Sequence, residues 1–348
     1  VSSHKTVAGN YFEDFSIGQV LRHATPRTVT TGDVALYTAL YGPRFAVQSS
    51  DEFARAIGLP AAPVDDFLAF HLVFGKTVPD VSLNAVANLG YANGRFGVPV
   101  YPGDTVTTTS TVTGLKENSN GKTGVVYVNS VGTNQRDEVV LDYTRWVMVN
   151  KRDQEAPAPD TVIPELPEAV PAEGLTLPSL DFGAYDTVLS GSAFRWGDYE
   201  VGEKIDHVDG MTIEEAEHQL ATRLYQNTAK VHFDQYAANA GRFQRRLIYG
   251  GHIISLARCL SFNGLANAFK VLAINAGSHA NPTFAGDTIY AYSEILDAFE
   301  LPGTDAGALR VRLVATKDHP AGDFPLKTDG KYDPAVVLDL DYTVALPR

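Results

Sequence analysis

Cysteine is nearly missing from this sequence: there is one thiol, Cys259, in 348 residues. A lone cysteine closes no internal disulfide, so nothing here demands an oxidising compartment. Its apolar, helix-patterned surroundings suit a buried structural thiol better than a nucleophile. No Cys/His cluster has zinc-like spacing, so no metal is expected. Basic residues are also few. The 28 Lys and Arg face 41 Asp and Glu, and the net charge of −13 speaks against a nucleic-acid partner. Apolar runs are cut by Gly, Asp or His well before the roughly 20 residues of a membrane span. No basic segment leads into an apolar one at the start, as in a secretory signal. The expectation is a cytoplasmic protein with neither a nucleic-acid nor a membrane partner. An acidic chain can still hold a local basic pocket, and Arg242, Arg245 and Arg246 stand close enough in sequence to form one for an anionic ligand.

What is present is a duplication. The stretch from Leu224 to Ala238 gathers Asn227, His232 and Asp234 among apolar and small residues. Leu40 to Ala54 repeats its skeleton: Leu40, Tyr41, Val47 and Ala54 each precede Leu224, Tyr225, Val231 and Ala238 by 184 positions. On that register Gln48 stands where His232 does, Ser50 where Asp234 does and Pro43 where Asn227 does. Asp14, Phe15, Ile17 and Gly18 match Asp198, Tyr199, Val201 and Gly202 at the same offset. Gly103-Asp104-Thr105 matches Gly286-Asp287-Thr288 at an offset of 183. A repeat this long is a copied domain rather than a solenoid unit. One copy kept the titratable groups and the other did not.

Both copies read alike. A short alternating segment (Arg27 to Thr30; Gly210 to Ile213) precedes helical spacing at Asp33 to Tyr41 and Glu214 to Tyr225. A segment apolar on nearly every side follows, Val64 to Gly75 and Ile248 to Leu260, the pattern of a helix buried all round. Alternating runs at 106–112, 124–131, 139–149, 288–295, 309–315 and 336–346 read as antiparallel strands wrapping that helix. The proline-rich stretch from Asp153 to Pro178 reads as an extended linker. The fold expected is α+β, a double hotdog: a first hotdog domain at 1–152, a linker at 153–190 and a second hotdog domain at 191–348.

The residues of the second copy carry a resemblance. The chain resembles the MaoC-like, or (R)-specific enoyl-CoA hydratase, family over nearly its whole length. That family's motif is an Asp, a His five residues later, an acidic residue two further on and an Ala beyond. His232, Asp234 and Ala238 match it. Gly250-Gly251 resembles the glycine turn opening the central helix, and Gly286-Asp287-Thr288 the Gly-Asp-Thr strand start. Within the family, the duplicated length, the linker and Gln226 to Asp234 look most like the mesaconyl-CoA hydratases. Where the family has its catalytic Asp, this chain has Asn227. An amide holds water or a substrate oxygen but takes no proton as a carboxylate does. Either His232 works alone with Asn227 orienting, or another carboxylate such as Asp234 joins it.

The resemblance implies a hydro-lyase adding water reversibly to an α,β-unsaturated acyl-CoA, with mesaconyl-CoA giving β-methylmalyl-CoA. CoA enters as part of the substrate and no other cofactor is needed. Histidine suits the proton transfers because it titrates near working pH. Backbone N–H groups at a helix start, within Gly250-Gly251, suit the enolate-like thioester oxygen, and Gly251 is the expected donor, since a residue without a side chain lets its backbone approach the thioester closely. Tyr225, Arg245 and Arg246 are the further substrate-binding candidates; Tyr225 shares its position with Tyr41, which also suits a core role. The first copy lacks the histidine and carries Asp65-Asp66 in place of the glycine turn, so it reads as non-catalytic, shaping the pocket. The alternatives are a hydratase of straight-chain enoyl-CoA, a hotdog thioesterase and a non-catalytic CoA-ester binding protein. A monomer and a homodimer are both open.

Overall fold

The computed structural model describes residues 5–348. Both copies follow one plan, from an edge strand through a first helix, short turns and a buried helix to four long strands, and the second adds a further short helix and a small hairpin. The first holds β1 (Val20–Arg22), β2 (Arg27–Thr28), α1 (Thr31–Tyr41), the short turns α2 (Ala46–Ser49) and α3 (Asp51–Ala56), α4 (Asp66–Thr77), β3 (Ala85–Phe96), β4 (Thr105–Glu117), β5 (Thr123–Thr133) and β6 (Val139–Asn150). The second holds β7 (Lys204–Thr212), α5 (Glu215–Leu224), α6 (Gln235–Ala238), α7 (Gly250–Leu260), α8 (Phe262–Leu265), β8 (Lys270–His279), β9 (Thr288–Glu300) and β10 (Ala306–Lys317). A small hairpin of β11 (Lys327–Thr328) and β12 (Lys331–Tyr332) follows, and then β13 (Val336–Pro347).

The strand expected through Thr30 stops at Thr28, because Thr30 starts a helix instead. Its hydroxyl accepts the Asp33 N–H at 3.2 Å and the Asp33 carboxylate accepts the Thr30 N–H at 2.8 Å, a reciprocal cap that satisfies two free donors. At the other end Gly42 takes the left-handed conformation (φ 63°) that closes α1.

The two copies share one sheet, ordered β1-β4-β5-β6-β3-β8-β13-β10-β9-β7, with β2 also on β4. The order reads the same from both ends, as a duplication folded about a two-fold axis requires. The axis runs through the antiparallel pairing of β3 with β8, where Tyr91 faces Gly277 and Arg95 faces Ala273. Neither β3 nor β8 stands out in the sequence. Both are interrupted by Gly, Ala and Asn, which blunt the alternation a strand is recognised by.

The helices α4 and α7 are buried along nearly their whole length, in one apolar cluster with the strands around them. Where the two copies meet, the register of the repeat becomes contact. Tyr225 donates its hydroxyl to Tyr41 at 2.8 Å, and the His71 Nε2 lies 2.8 Å from the Ser255 hydroxyl; each pair is separated by 184 positions. Tyr41 in turn meets His252 Nδ1 at 2.7 Å, and Tyr37 donates to Ser255 at 2.9 Å. Tyr225 is thus a core residue of the junction, where burial pushes its hydroxyl pKa far up.

Residues 151–195 form no long element and pack along both copies. Val162 bridges Leu115 of β4, the Val170 N–H donates to Asn275 at 2.9 Å, and Glu168 pairs with Arg310 at 3.0 Å. Phe182 and Tyr185 then enter a second apolar cluster with Phe53 and Phe269.

Gly75 of α4 lies directly against the loop that carries the key residues. A Cβ there would sit 1.9 Å from the Tyr225 carbonyl oxygen. Gly75→Ala is expected to lower stability by about 1–3 kcal/mol, the usual cost of overpacking, and to reduce activity further by displacing Asn227. Chemical denaturation and turnover, measured on the same preparation, check both.

Candidate active site

The loop after α5 is built turn by turn. The Asn227 side-chain oxygen accepts the Ala229 N–H at 3.0 Å, starting a turn as Asn side chains do. Lys230–His232 forms one 3-10 turn, closed when Asp234 N–H reaches the Lys230 carbonyl at 2.8 Å. Leu247 then holds the loop from the other side. Its N–H donates to the Val231 carbonyl at 3.0 Å, and its carbonyl accepts from His232 Nδ1 at 2.8 Å. A carbonyl only accepts, so Nδ1 carries the proton and Nε2 is left as a base. Burial pulls the His232 pKa down to about 4 against the opposing pull of the Leu247 carbonyl. The imidazole is therefore neutral at neutral pH.

His232 lines a cleft of about 280 Å³ together with Asn227, Leu247, Gly250 and His279 of the second copy and Phe74, Ser82, Asn88, Tyr91 and Arg145 of the first. Asn227 is buried and uses its oxygen in the turn, and its NH2 has no partner among the described residues. It can donate into the cleft. Gly250 and Gly251 are the first residues of α7, and neither N–H has an acceptor among the described residues. Free N–H groups at a helix start favour an anion or oxyanion. The preceding Tyr249 N–H is taken by His218 Nε2 at 2.9 Å; His218, pushed down to about 2 by burial and the neighbouring histidines, is neutral and fixes where the helix begins.

Of the two glycines, Gly250 faces the cleft. A Cβ on Gly250 would come 2.4 Å from the His279 ring, whose Nε2 lies 3.2 Å from the Tyr91 hydroxyl. A Cβ on Gly251 would instead strike Tyr249 at 2.4 Å and His71 at 2.6 Å. Gly251 thus makes room for core rings rather than for a ligand. His279 itself lines the cleft.

The structure separates the other sequence candidates from the cleft. The Asp234 carboxylate accepts the Ala237 N–H at 3.0 Å and caps α6; Ser50, its counterpart, accepts the Phe53 N–H at 3.2 Å and caps α3. One copy meets with a hydroxyl the need the other meets with a carboxylate, and Asp234 is engaged as a cap and does not line the cleft. Tyr225 belongs to the junction. Arg246 pairs with Glu215 at 3.0 Å, and exposed Arg245 donates to the Ala285 carbonyl at 2.7 Å beside the Phe284 ring. In the first copy Asp65 caps α4, and Asp66 pairs with Lys270 at 3.0 Å and accepts the Val271 N–H at 2.8 Å. Among the described residues no group of three or more His, Cys, Asp or Glu side chains is placed to hold a metal ion, and no helix is long and apolar enough to cross a membrane.

Among the cleft residues that the sequence reading did not single out are Arg145 and Asn88. A signal existed for Arg145. Leu141, Tyr143, Arg145, Val147 and Val149 alternate on one face of β6, and all are buried. A charge in that row points inward.

Comparison with known proteins bears on this cleft. A family model described as mesaconyl-CoA hydratase matches residues 3–324. A β-methylmalyl-CoA dehydratase of Chloroflexus aurantiacus is 66% identical over 349 residues, covering 99% of both chains. A mesaconyl-CoA hydratase of Cereibacter sphaeroides is 63% identical over 346 residues, covering 99% of this chain and 100% of that one. Among solved structures, a MaoC domain protein dehydratase from Chloroflexus aurantiacus superposes with a TM-score of 0.98 at 66% identity over 99% of both chains. A Mycobacterium tuberculosis protein described as having a double hotdog fold superposes with a TM-score of 0.73 at 25% identity, over 97% of this chain and 98% of that one.

With His232 neutral down to about pH 4, falling pH removes its base form only below that value. The acid limb of kcat/KM is expected near pH 4 rather than near the ordinary histidine value. Asn227→Asp, which puts a carboxylate into the same cleft, is expected to move that limb upward. A pH series on both proteins measures it; limbs near 6.5 in both would contradict the assignment.

Proposed function

The chain belongs to the mesaconyl-CoA hydratase family, and from that membership we propose how its cleft works as a hydro-lyase, reversibly hydrating mesaconyl-CoA to β-methylmalyl-CoA. The carrying observation is His232: its Nδ1 is committed to the Leu247 carbonyl, and its Nε2 is free in a cleft shared with the Gly250 helix start.

In the hydration direction the Asn227 NH2 donates to a water oxygen, and His232 Nε2 accepts one of that water's protons. The oxygen bonds to the β-carbon as the C=C electron pair moves toward the thioester, whose oxygen becomes enolate-like. The Gly250 N–H and the start of α7 stabilise that charge; comparable donors are worth roughly 3–4 kcal/mol in other enzymes. The imidazolium then returns its proton to the α-carbon. Water is added, His232 ends as it began, and dehydration is the reverse. Named groups handle every proton and electron pair, so the scheme calls for no cofactor beyond the CoA that the substrate carries.

Asn227 fits this division of labour. With its oxygen held by Ala229, it can only donate into the cleft, and a donor places water without competing for the proton. Exposed Arg245, two residues before cleft-lining Leu247, is the cation we assign to a CoA phosphate; Arg246 is engaged by Glu215. The cytoplasmic setting belongs to the same proposal, since the one thiol is buried and asks for no oxidising surroundings.

Incubation with mesaconyl-CoA and crotonyl-CoA side by side, following enoyl-thioester absorbance, tests the function. Faster loss with mesaconyl-CoA and no release of CoA thiol is expected. Thiol release would mark a thioesterase, and preference for crotonyl-CoA a straight-chain hydratase. His232→Ala should lower the rate by about 10²–10⁴-fold, the range for loss of a general base. Unchanged turnover in that variant would remove His232 from the mechanism.

A further inference from the structure

We infer that Arg145 and Asn88 form the subsite for the free carboxylate of the acyl group, so that the first copy selects the substrate on which His232 of the second copy acts. The inference deepens the hydratase reading above and rests on it for the substrate's identity.

Arg145 is 0% exposed on β6 and makes no ion pair with a carboxylate among the described residues. It is nonetheless firmly held. Its Nη2 donates to the Thr77 hydroxyl at 2.7 Å and the Ser82 hydroxyl at 3.3 Å, and the Phe74 ring lies 4.3 Å from the guanidinium carbon. Among the described residues its Nε and Nη1 have no partner, and neither does the nitrogen or the oxygen of the Asn88 carboxamide. A buried cation without a counterion is costly unless an anion arrives, and unpaired buried amides carry the same kind of penalty. Arg145 and Asn88 both line the cleft that holds His232 and Gly250.

The substrate's chemistry fits these vacant donors. Mesaconyl-CoA is the thioester of a methyl-substituted four-carbon unsaturated diacid. One carboxyl carries CoA and the other is free, attached to the β-carbon that water attacks. With the thioester oxygen on Gly250 and the β-carbon beside His232, the carboxylate lies one carbon beyond the reacting centre, within the same cleft. A straight-chain enoyl thioester would instead press an alkyl group against donors that have lost water and gained no acceptor. Sites built on hydrogen bonds reject such analogues strongly.

The other copy supplies the contrast. Arg145 pairs across the sheet with Tyr91 as Tyr342 pairs with Ile274, and positions 91 and 274 are equivalent in the repeat. Tyr342 therefore stands where Arg145 would, and Val271, at the offset of 183, stands where Asn88 would. The pair occurs once per chain, in the cleft that holds the one His232.

Binding of two unreactive thioesters to the full chain, succinyl-CoA and butyryl-CoA, tests the subsite by calorimetry. They have the same chain length, and a methyl group replaces the free carboxylate in the second. Wild type is expected to bind succinyl-CoA about 10- to 100-fold more tightly, the range for hydrogen bonds to a charged group. Arg145→Gln should collapse that gap to within about 2-fold, chiefly by weakening succinyl-CoA, and Asn88→Ala should narrow it. Equal affinities in wild type, or an undiminished gap in folded Arg145→Gln, would overturn the inference. Where Arg145→Gln does not fold, Arg145→Lys serves instead: a narrowed gap supports the subsite and an undiminished one overturns it. Because no turnover is needed, this result stands apart from failure of the hydratase reading, which shows itself as no loss of enoyl absorbance with mesaconyl-CoA.

Discussion

The antiparallel pairing of β3 with β8 is the constraint on which the site depends. Without it there would be two sheets, each around its own helix, and no cleft with a wall from each. With it, α4 and α7 lie against one another, and the second copy's His232 shares one cleft with Tyr91 of β3 and Arg145 of β6 from the first. The seam works because its residues are small. A Cβ on Gly277 would approach the Tyr91 ring to 2.9 Å, and one on Gly94 would approach Ile274 to 3.1 Å. Bulkier residues at these two positions would force the strands to shift.

Burial sets the chemistry in this frame. His71, His218, His252 and His279 are all driven below the ordinary histidine range, chiefly by desolvation, and their partners are hydroxyls and a backbone N–H rather than carboxylates. Around the active imidazole the protein has therefore placed neutral, oriented groups. Such groups do not compete for the proton that the proposed mechanism has His232 take and return. The charged group that remains at the cleft, Arg145, is a cation, matched to the sign of a substrate carboxylate.

The duplication shows how one scaffold serves two ends. Capping, junction contacts and strand order are kept in both copies: Ser50 and Asp234 cap equivalent turns, and Tyr41 and Tyr225 meet across the axis. At the position where the second copy's His232 donates to a backbone carbonyl through Nδ1, the first copy's Gln48 donates through Nε2 to the Phe269 carbonyl. The geometry of the side chain is conserved and its titration is not. An amide holds the loop as well as an imidazole does, but it cannot carry a proton.

By itself the sequence determined the duplication, the two buried helices, most of the sheet and the loop carrying Asn227 and His232. All of these leave a local signature, whether a repeat offset, a period or a motif. The seam strands left none, because the close approach they need is met by Gly, Ala and Asn, which erase the alternation. The roles of Asp234, Gly251 and Arg145 were also beyond it. Whether a carboxylate caps a turn or moves a proton, which of two glycines faces the cleft, and whether an inward arginine has a counterion all depend on residues far away in the chain. Only folding brings Tyr249 and His71 against Gly251, and only folding leaves Arg145 unpaired in the cleft of the other copy.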